Sequence, residues 1–263
     1  MEIFLYTCSF LSGIIIGSFL NVCIYRIPRG ISIVKPRSAC PACGKTLTAF
    51  ELVPLVGYLA LRGKCSSCRA RIPAWHAFVE LLCGVLWVLL MRRFMLSYQF
   101  FCYAALCSIF LAIFFIDLQW MRIPNVLVGC AMLPASAVCI AYAFFLTAPE
   151  RFRSAYNSID RIEPLLGLIP CAGFLAIYII TAKARGGEGA IGMGDIKLLI
   201  PAGLALGLRQ CLFAVFIAVM LGGLAGAVLI ISGKKKRKDP IPFGPFIVAG
   251  VYAAIFIPVT YLI

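Results

Sequence analysis

Eight apolar segments, most of them close to the length needed to cross a bilayer, leave this chain one class of fold. They run over 4–24, 75–91, 96–118, 124–147, 164–182, 195–208, 211–232 and 243–263. A helix needs about 20 apolar residues to span the hydrocarbon core. No strict alternation of apolar and polar residues runs through these segments, which argues against a barrel. The chain is 63% hydrophobic and 13% charged, whereas soluble domains are about 45–50% apolar and about 25% charged. The expected fold is an all-α polytopic membrane protein of about eight transmembrane helices. The sixth segment is short and starts from a glycine-rich turn, so it merges with its neighbour, tilts or re-enters.

Charge then sets an expected orientation. Met1-Glu2 offers no positive segment before the first apolar run, and the positive charge follows it at Arg26 and Arg29. This is the pattern of an uncleaved first helix with its N-terminus outside. Alternating the spans from there puts eighteen Lys and Arg in inside loops and six in outside loops, as the positive-inside rule requires. The net charge of +14 includes the run Lys234-Lys235-Lys236-Arg237-Lys238. Next to apolar spans it reads as a topology anchor on the cytoplasmic side, so the expected partner is the lipid bilayer and no nucleic acid. Three parts are expected: a first transmembrane helix over 1–25, a cytoplasmic loop domain over 26–74, and a transmembrane core over 75–263.

Nine of the thirteen cysteines lie in or at the ends of apolar segments, where thiols act as small hydrophobes. The other four form two knuckles, Cys40-Pro41-Ala42-Cys43 and Cys65-Ser66-Ser67-Cys68. Two Cys-x-x-Cys pairs at this separation suit a tetrahedral Zn²⁺. A cytoplasmic location disfavours disulfides. Four thiolates leave no open coordination position, so the zinc is expected to be structural, folding a small loop domain.

Two carboxylates sit where they are expensive. Asp117 lies in Phe114-Phe115-Ile116-Asp117-Leu118, and Asp195 lies in Gly192-Met193-Gly194-Asp195-Ile196-Lys197. An ion at the centre of a membrane helix costs about 2.5–3.5 kcal/mol on insertion scales, so such residues mark chemistry or transport. Asp117 ends the third span and Asp195 opens the sixth, so both are expected near the cytoplasmic boundary. Two carboxylates sharing a proton make an acid–base pair that activates water. Gly192 and Gly194 permit close backbone approach beside Asp195. Lys197 orients nearby carboxylates or reaches for the interface, the second being favoured. Taken alone, Asp117 also reads as a helix-end residue and Asp195 as an N-cap. His76 is the sole histidine, which leaves a zinc protease or a Ser–His pair little material. Glu80, in a span, reads as a carboxylate bonded to a neighbouring helix or as a binder of substrate or cofactor.

These residues, in order, resemble the type IV prepilin leader peptidases, membrane aspartic proteases of the GxGD type. The resemblance covers Gly17-Ser18-Phe19-Leu20-Asn21-Val22 with Tyr25-Arg26-Ile27-Pro28, both knuckles, and Phe78-Val79-Glu80. It continues through Ile116-Asp117 with Ile123-Pro124, Gly192-Met193-Gly194-Asp195-Ile196-Lys197-Leu198, and Pro242-Phe243-Gly244-Pro245-Phe246. It implies a bacterial inner-membrane peptidase core over 75–263, with Asp117 and Asp195 catalytic. The implied reaction removes the basic leader of type IV prepilins or pseudopilins. Members with the longer cysteine-bearing loop, the type present here, also N-methylate the new terminus, commonly Phe, with S-adenosylmethionine. Glu80, Arg26 and Asn21 are candidates for substrate binding or methyl transfer. Asn125 stands where the family often has an acid. A proton-coupled transporter and a non-catalytic assembly factor with a zinc-bound docking loop remain open on the residues alone.

Overall fold

Helices account for nearly all the regular structure. The computed structural model describes residues 1–145, 163–185, 192–236 and 239–257. The predicted outer loop over 148–163 falls almost wholly outside them. The helices are α1 (Glu2–Arg26), α2 (Val56–Ala60), α3 (Trp75–Phe94), α4 (Tyr98–Trp120), α5 (Asn125–Phe145), α6 (Glu163–Leu166), α7 (Ile169–Arg185), α8 (Met193–Ile231) and α9 (Gly244–Phe256). Among the described residues there is no strand, only two isolated antiparallel bridges in the loop between α1 and α3.

Four stretches are long and apolar enough to cross a membrane: Glu2–Arg29, Tyr98–Trp120, Glu163–Lys183 and Met193–Ile231. Asn125–Ala141 and Gly244–Phe256 are shorter apolar helices. The all-α polytopic expectation holds, and the protein is a multi-pass membrane protein. The two segments read as separate spans over 195–208 and 211–232 join in α8, 39 residues long. A straight helix of that length would measure about 58 Å, nearly twice the roughly 30 Å of a hydrocarbon core. It is not straight: Gly207 breaks it with φ 75° and ψ 177°, a conformation open essentially to glycine alone.

The chain forms two compact units, Met1–Ala112 and Ile113–Ile263. In the first, α1 packs along α3. A Cβ on Gly13 would lie 2.8 Å from the Gly84 Cα, and one on Gly17 would lie 2.7 Å from the Glu80 Cα. This small-residue seam lets the two backbones approach as membrane helices do. In the second, α8 is the hub, packed by α5, α6, α7 and α9.

Candidate active site

Asp117 lies in the last turn of α4 and is 4% exposed. The chain turns away directly after it: Met121, with φ 50°, donates its N–H to the Asp117 carbonyl at 2.9 Å. Ile123-Pro124 then lead into α5, where the Leu127 and Val128 N–H groups both donate to the Pro124 carbonyl. The Asp117 side chain accepts the Gly244 N–H on Oδ2 at 3.1 Å. Gly244 is the first residue of α9 and Pro245 follows it, so the carboxylate faces the positive end of a helix.

Asp195 is the third residue of α8, and Gly192 is the N-cap in an extended conformation. The Asp195 N–H donates to the Gly192 carbonyl at 3.1 Å, and a Cβ on Gly192 would lie 2.9 Å from Asp195 Oδ2. The Ile123 side chain joins the two halves. A Cβ added to Gly194 would meet it at 3.1 Å, and one added to Gly244 would meet it at 3.2 Å. Ile123 therefore lies against both the glycine turn that carries Asp195 and the amide that holds Asp117. Lys197, expected to favour the interface, instead donates to Asn125 Oδ1 at 3.0 Å, tying the first turn of α8 to the first residue of α5.

The four knuckle cysteines converge as expected. Their sulfurs all lie within 4.8 Å of one another, with Cys40–Cys68 at 3.8 Å and Cys43–Cys65 at 4.0 Å. A tetrahedron with Zn–S bonds of about 2.3 Å has sulfurs roughly 3.8 Å apart, so this donor set fits that ion. The knuckles share one hydrogen-bond pattern. The Cys40 N–H donates to the Lys45 carbonyl and the Gly44 N–H returns to Cys40; Cys65 pairs with Ala70 and Arg69 in the same way. Backbone N–H groups of Cys68 and Ser67 point at the Cys65 sulfur and hold its thiol down at about 6, which favours the ligating thiolate.

A brace around the knuckles escaped the sequence reading. Glu51 accepts from the Lys45 ammonium at 3.2 Å, from the Ser66 hydroxyl, and from the Thr48 N–H at 2.7 Å. Ser66 first, then the Thr48 amide and Lys45, hold the Glu51 carboxyl down at about 2. The readable signal was Thr48-Ala49-Phe50-Glu51, a capping box.

Asn21 and Glu80 meet as well. Asn21 Nδ2 donates to the His76 carbonyl at 3.0 Å and to Glu80 Oε1 at 3.4 Å. Glu80 Oε2 accepts the Leu55 N–H at 2.8 Å. Leu55 adopts φ 59° and ψ −46°, with the Val56 N–H bonded to the Pro54 carbonyl at 2.6 Å. That is a strained γ-turn. Arg26 is buried and donates to the Ser32 carbonyl at 2.9 Å. The His76 ring stacks on Trp75.

Residues 104–227 match the type IV leader peptidase family, and residues 11–94 match the bacterial peptidase A24 N-terminal domain. The chain is 36% identical over 241 residues to a prepilin leader peptidase/N-methyltransferase of Bacillus subtilis, covering 92% of this chain and 90% of that one. The chain belongs to the type IV leader peptidase family. A Burkholderia pseudomallei protein of the same name is 33% identical over 93% of this chain and 82% of its own. A Pseudomonas aeruginosa protein of that name is 31% identical over 94% of this chain and 89% of its own. No solved structure matches the chain. Within the family match, residues 104–227 contain both aspartates, and residues 11–94 contain both cysteine knuckles, Asn21 and Glu80.

Proposed function

We propose that this protein removes the leader of type IV prepilins or pseudopilins with an Asp117–Asp195 dyad, and then N-methylates the new terminus. The observation that carries the reading is the convergence of two carboxylates, 78 residues apart in sequence, through the shared Ile123 contact inside a family-matched segment.

One aspartate, ionised, takes a proton from water as its oxygen adds to the scissile carbonyl carbon. The partner, protonated, gives its proton to the carbonyl oxygen. Collapse of the tetrahedral adduct breaks the C–N bond: the first aspartate passes its proton to the leaving nitrogen, and a hydroxyl of the adduct returns a proton to the partner. Gly244 occupies one oxygen of Asp117 and leaves the other for water. Gly192 and Gly194 keep the Asp195 turn slim enough for an extended substrate strand, and Lys197 and Asn125 hold that turn against α5. The two titrations belong to the pair rather than to either residue.

Cys40, Cys43, Cys65 and Cys68 hold a structural Zn²⁺ in the 26–74 domain, and S-adenosylmethionine supplies the methyl group. The N-terminus lies outside, the zinc loop lies in the cytoplasm, and the 75–263 core cuts at the cytoplasmic face of a bacterial inner membrane. The eighteen-to-six asymmetry of Lys and Arg supports that orientation.

Co-expression of a prepilin with the wild type, Asp117→Asn and Asp195→Asn, read by mass spectrometry of the product N-terminus, tests the reading. The expected result is cleavage and one added methyl with the wild type, and no cleavage with either variant at normal protein levels. Full cleavage by either variant refutes the dyad.

A further inference from the structure

Cleavage makes no use of the cluster where α1, α3 and the Leu55 turn meet. Asn21 and Glu80 are each 8% exposed. Both hydrogen bonds of the Asn21 amide run from Nδ2 to acceptors, the His76 carbonyl and Glu80 Oε1. This fixes which end of the amide is oxygen, and Asn21 Oδ1 is left buried with no donor. Glu80 is no better supplied. Oε2 holds one backbone N–H, from Leu55, and Oε1 has only the long 3.4 Å contact. No Lys, Arg or His among the described residues pairs with it.

Buried carboxylates and amide oxygens persist when something supplies charge and donors. Here a Leu is held in a strained γ-turn with its amide on the carboxylate, and such strain gathers at functional sites. The missing partner is a small cation with N–H groups. Ca²⁺ and Mg²⁺ take six or more oxygen ligands, water completing the shell, and this pair is buried and offers three oxygens, one of them already holding the Leu55 N–H. A sulfonium brings charge and no hydrogen to donate. An –NH₃⁺ group brings one positive charge and three donors, which suits Asn21 Oδ1 and Glu80 Oε1 together.

We propose that Asn21 and Glu80 form a receptor for a primary ammonium, and that its occupant is the α-amino terminus freed by leader removal. The identity of the occupant rests on the peptidase reading above; the ammonium chemistry does not. Each cut creates one such terminus, and relatives carry N-methyltransferase in their names. The amino-acid moiety of the methyl donor is the other source of the same group, and the ligands tested separate the two.

The test uses full-length, zinc-loaded protein in lipid nanodiscs and three probes: a synthetic peptide beginning with Phe and bearing a free terminus, its N-acetylated form, and S-adenosylhomocysteine. Hydrogen bonds to charged groups predict that acetylation weakens peptide binding to the wild type by about tenfold or more. Glu80→Gln, which keeps an oxygen for the Leu55 N–H, is expected to lose about tenfold for the free-terminus peptide and nothing for the acetylated one. Asn21→Ala, a second variant that leaves the Glu80–Leu55 contact in place, should lose affinity in the same selective way.

Loss confined to S-adenosylhomocysteine supports the ammonium receptor and overturns the peptide terminus as its occupant. Wild-type affinity of both variants, folded by thermal unfolding, for all three probes overturns the receptor. Because the peptide is premade, a wild type that binds this way but never cuts a prepilin would sink the peptidase reading and leave the receptor standing.

Discussion

Substituting Gly244 with alanine tests the active-site geometry most sharply. A Cβ at this position would lie 2.7 Å from Asp117 Oδ2 and 3.2 Å from its Cγ, where unstrained contacts between carbon atoms begin near 3.5 Å. The Asp117 carboxyl must retreat by about half an ångström or more to reach ordinary contact, and the Gly244 N–H then loses its acceptor. A hydrogen bond to a charged group is worth about 1.5–3 kcal/mol. A displacement of about 1 Å in a catalytic group costs around a hundredfold in rate. At 1.36 kcal/mol per factor of ten, both routes put the fall in kcat at roughly 10–150-fold. KM should stay near the wild-type value, because no substrate contact is removed.

The assay is steady-state cleavage of a purified prepilin by the variant in nanodiscs, with kcat and KM measured separately. A kcat within about twofold of wild type would refute the geometry. Misfolding is separated by a stability cycle that needs no activity. Gly244→Ala should lower the unfolding temperature in the wild-type background and lower it less once Asp117→Ala has removed the atoms in its way. An equal penalty in both backgrounds would show that the contact is not the cause.

Removing the proposed zinc, by chelation or by Cys40→Ser, should unfold the loop domain, since structural zinc contributes on the order of 10–16 kcal/mol to small zinc domains. Limited proteolysis should then cut between the knuckles, and an unchanged digestion pattern would refute a structural ion. Glu51→Gln should loosen the same loop by an amount that does not vary between pH 7 and about 5, because Glu51 is ionised throughout. Its carboxyl is held at about 2 against an ordinary 4.5, so its contribution is full above 4.5 and fades only as pH falls toward 2. A gap in protease sensitivity between variant and wild type that narrows from pH 7 to about 5 would contradict the brace. Gly207→Ala places a side chain at φ 75° and ψ 177° and 3.2 Å from Glu163 Cγ. It should destabilise by about 1–3 kcal/mol in thermal unfolding, and wild-type stability would mean that the kink is not held there.

What could be read from the sequence, and what could not, divides by the kind of residue. Asp117 and Asp195 stand out because an ion in an apolar run needs a reason, and the knuckles stand out because four thiolates at that spacing have few other uses. Gly244 gives no such signal. Its role rests on an amide reaching a carboxylate 127 residues away, and neither hydropathy nor periodicity records such a contact. The bond Lys197 makes was unreadable for the same reason. A lysine near a span end has a ready interfacial explanation, and its bond to Asn125 exists only because Ile123-Pro124 brings the start of α5 beside the Asp195 turn. The break in α8 was legible as a boundary, since Arg209 and Gln210 interrupt the apolar run between 195–208 and 211–232, but that Gly207 carries it, with φ 75° and ψ 177°, is seen only in the fold.

The residues proposed to perform chemistry are thus visible through what they cost, while those that would position them are glycines, amides and an isoleucine that cost nothing until the chain folds. The Asn21–Glu80 pair lies between these cases. Glu80 was visible as an acid in a span, but only the fold shows Asn21 Oδ1 left without a donor beside it. In this protein an unsatisfied buried oxygen says more about a missing partner than the charge alone does, because the carboxylate has already found an amide and the asparagine oxygen has not.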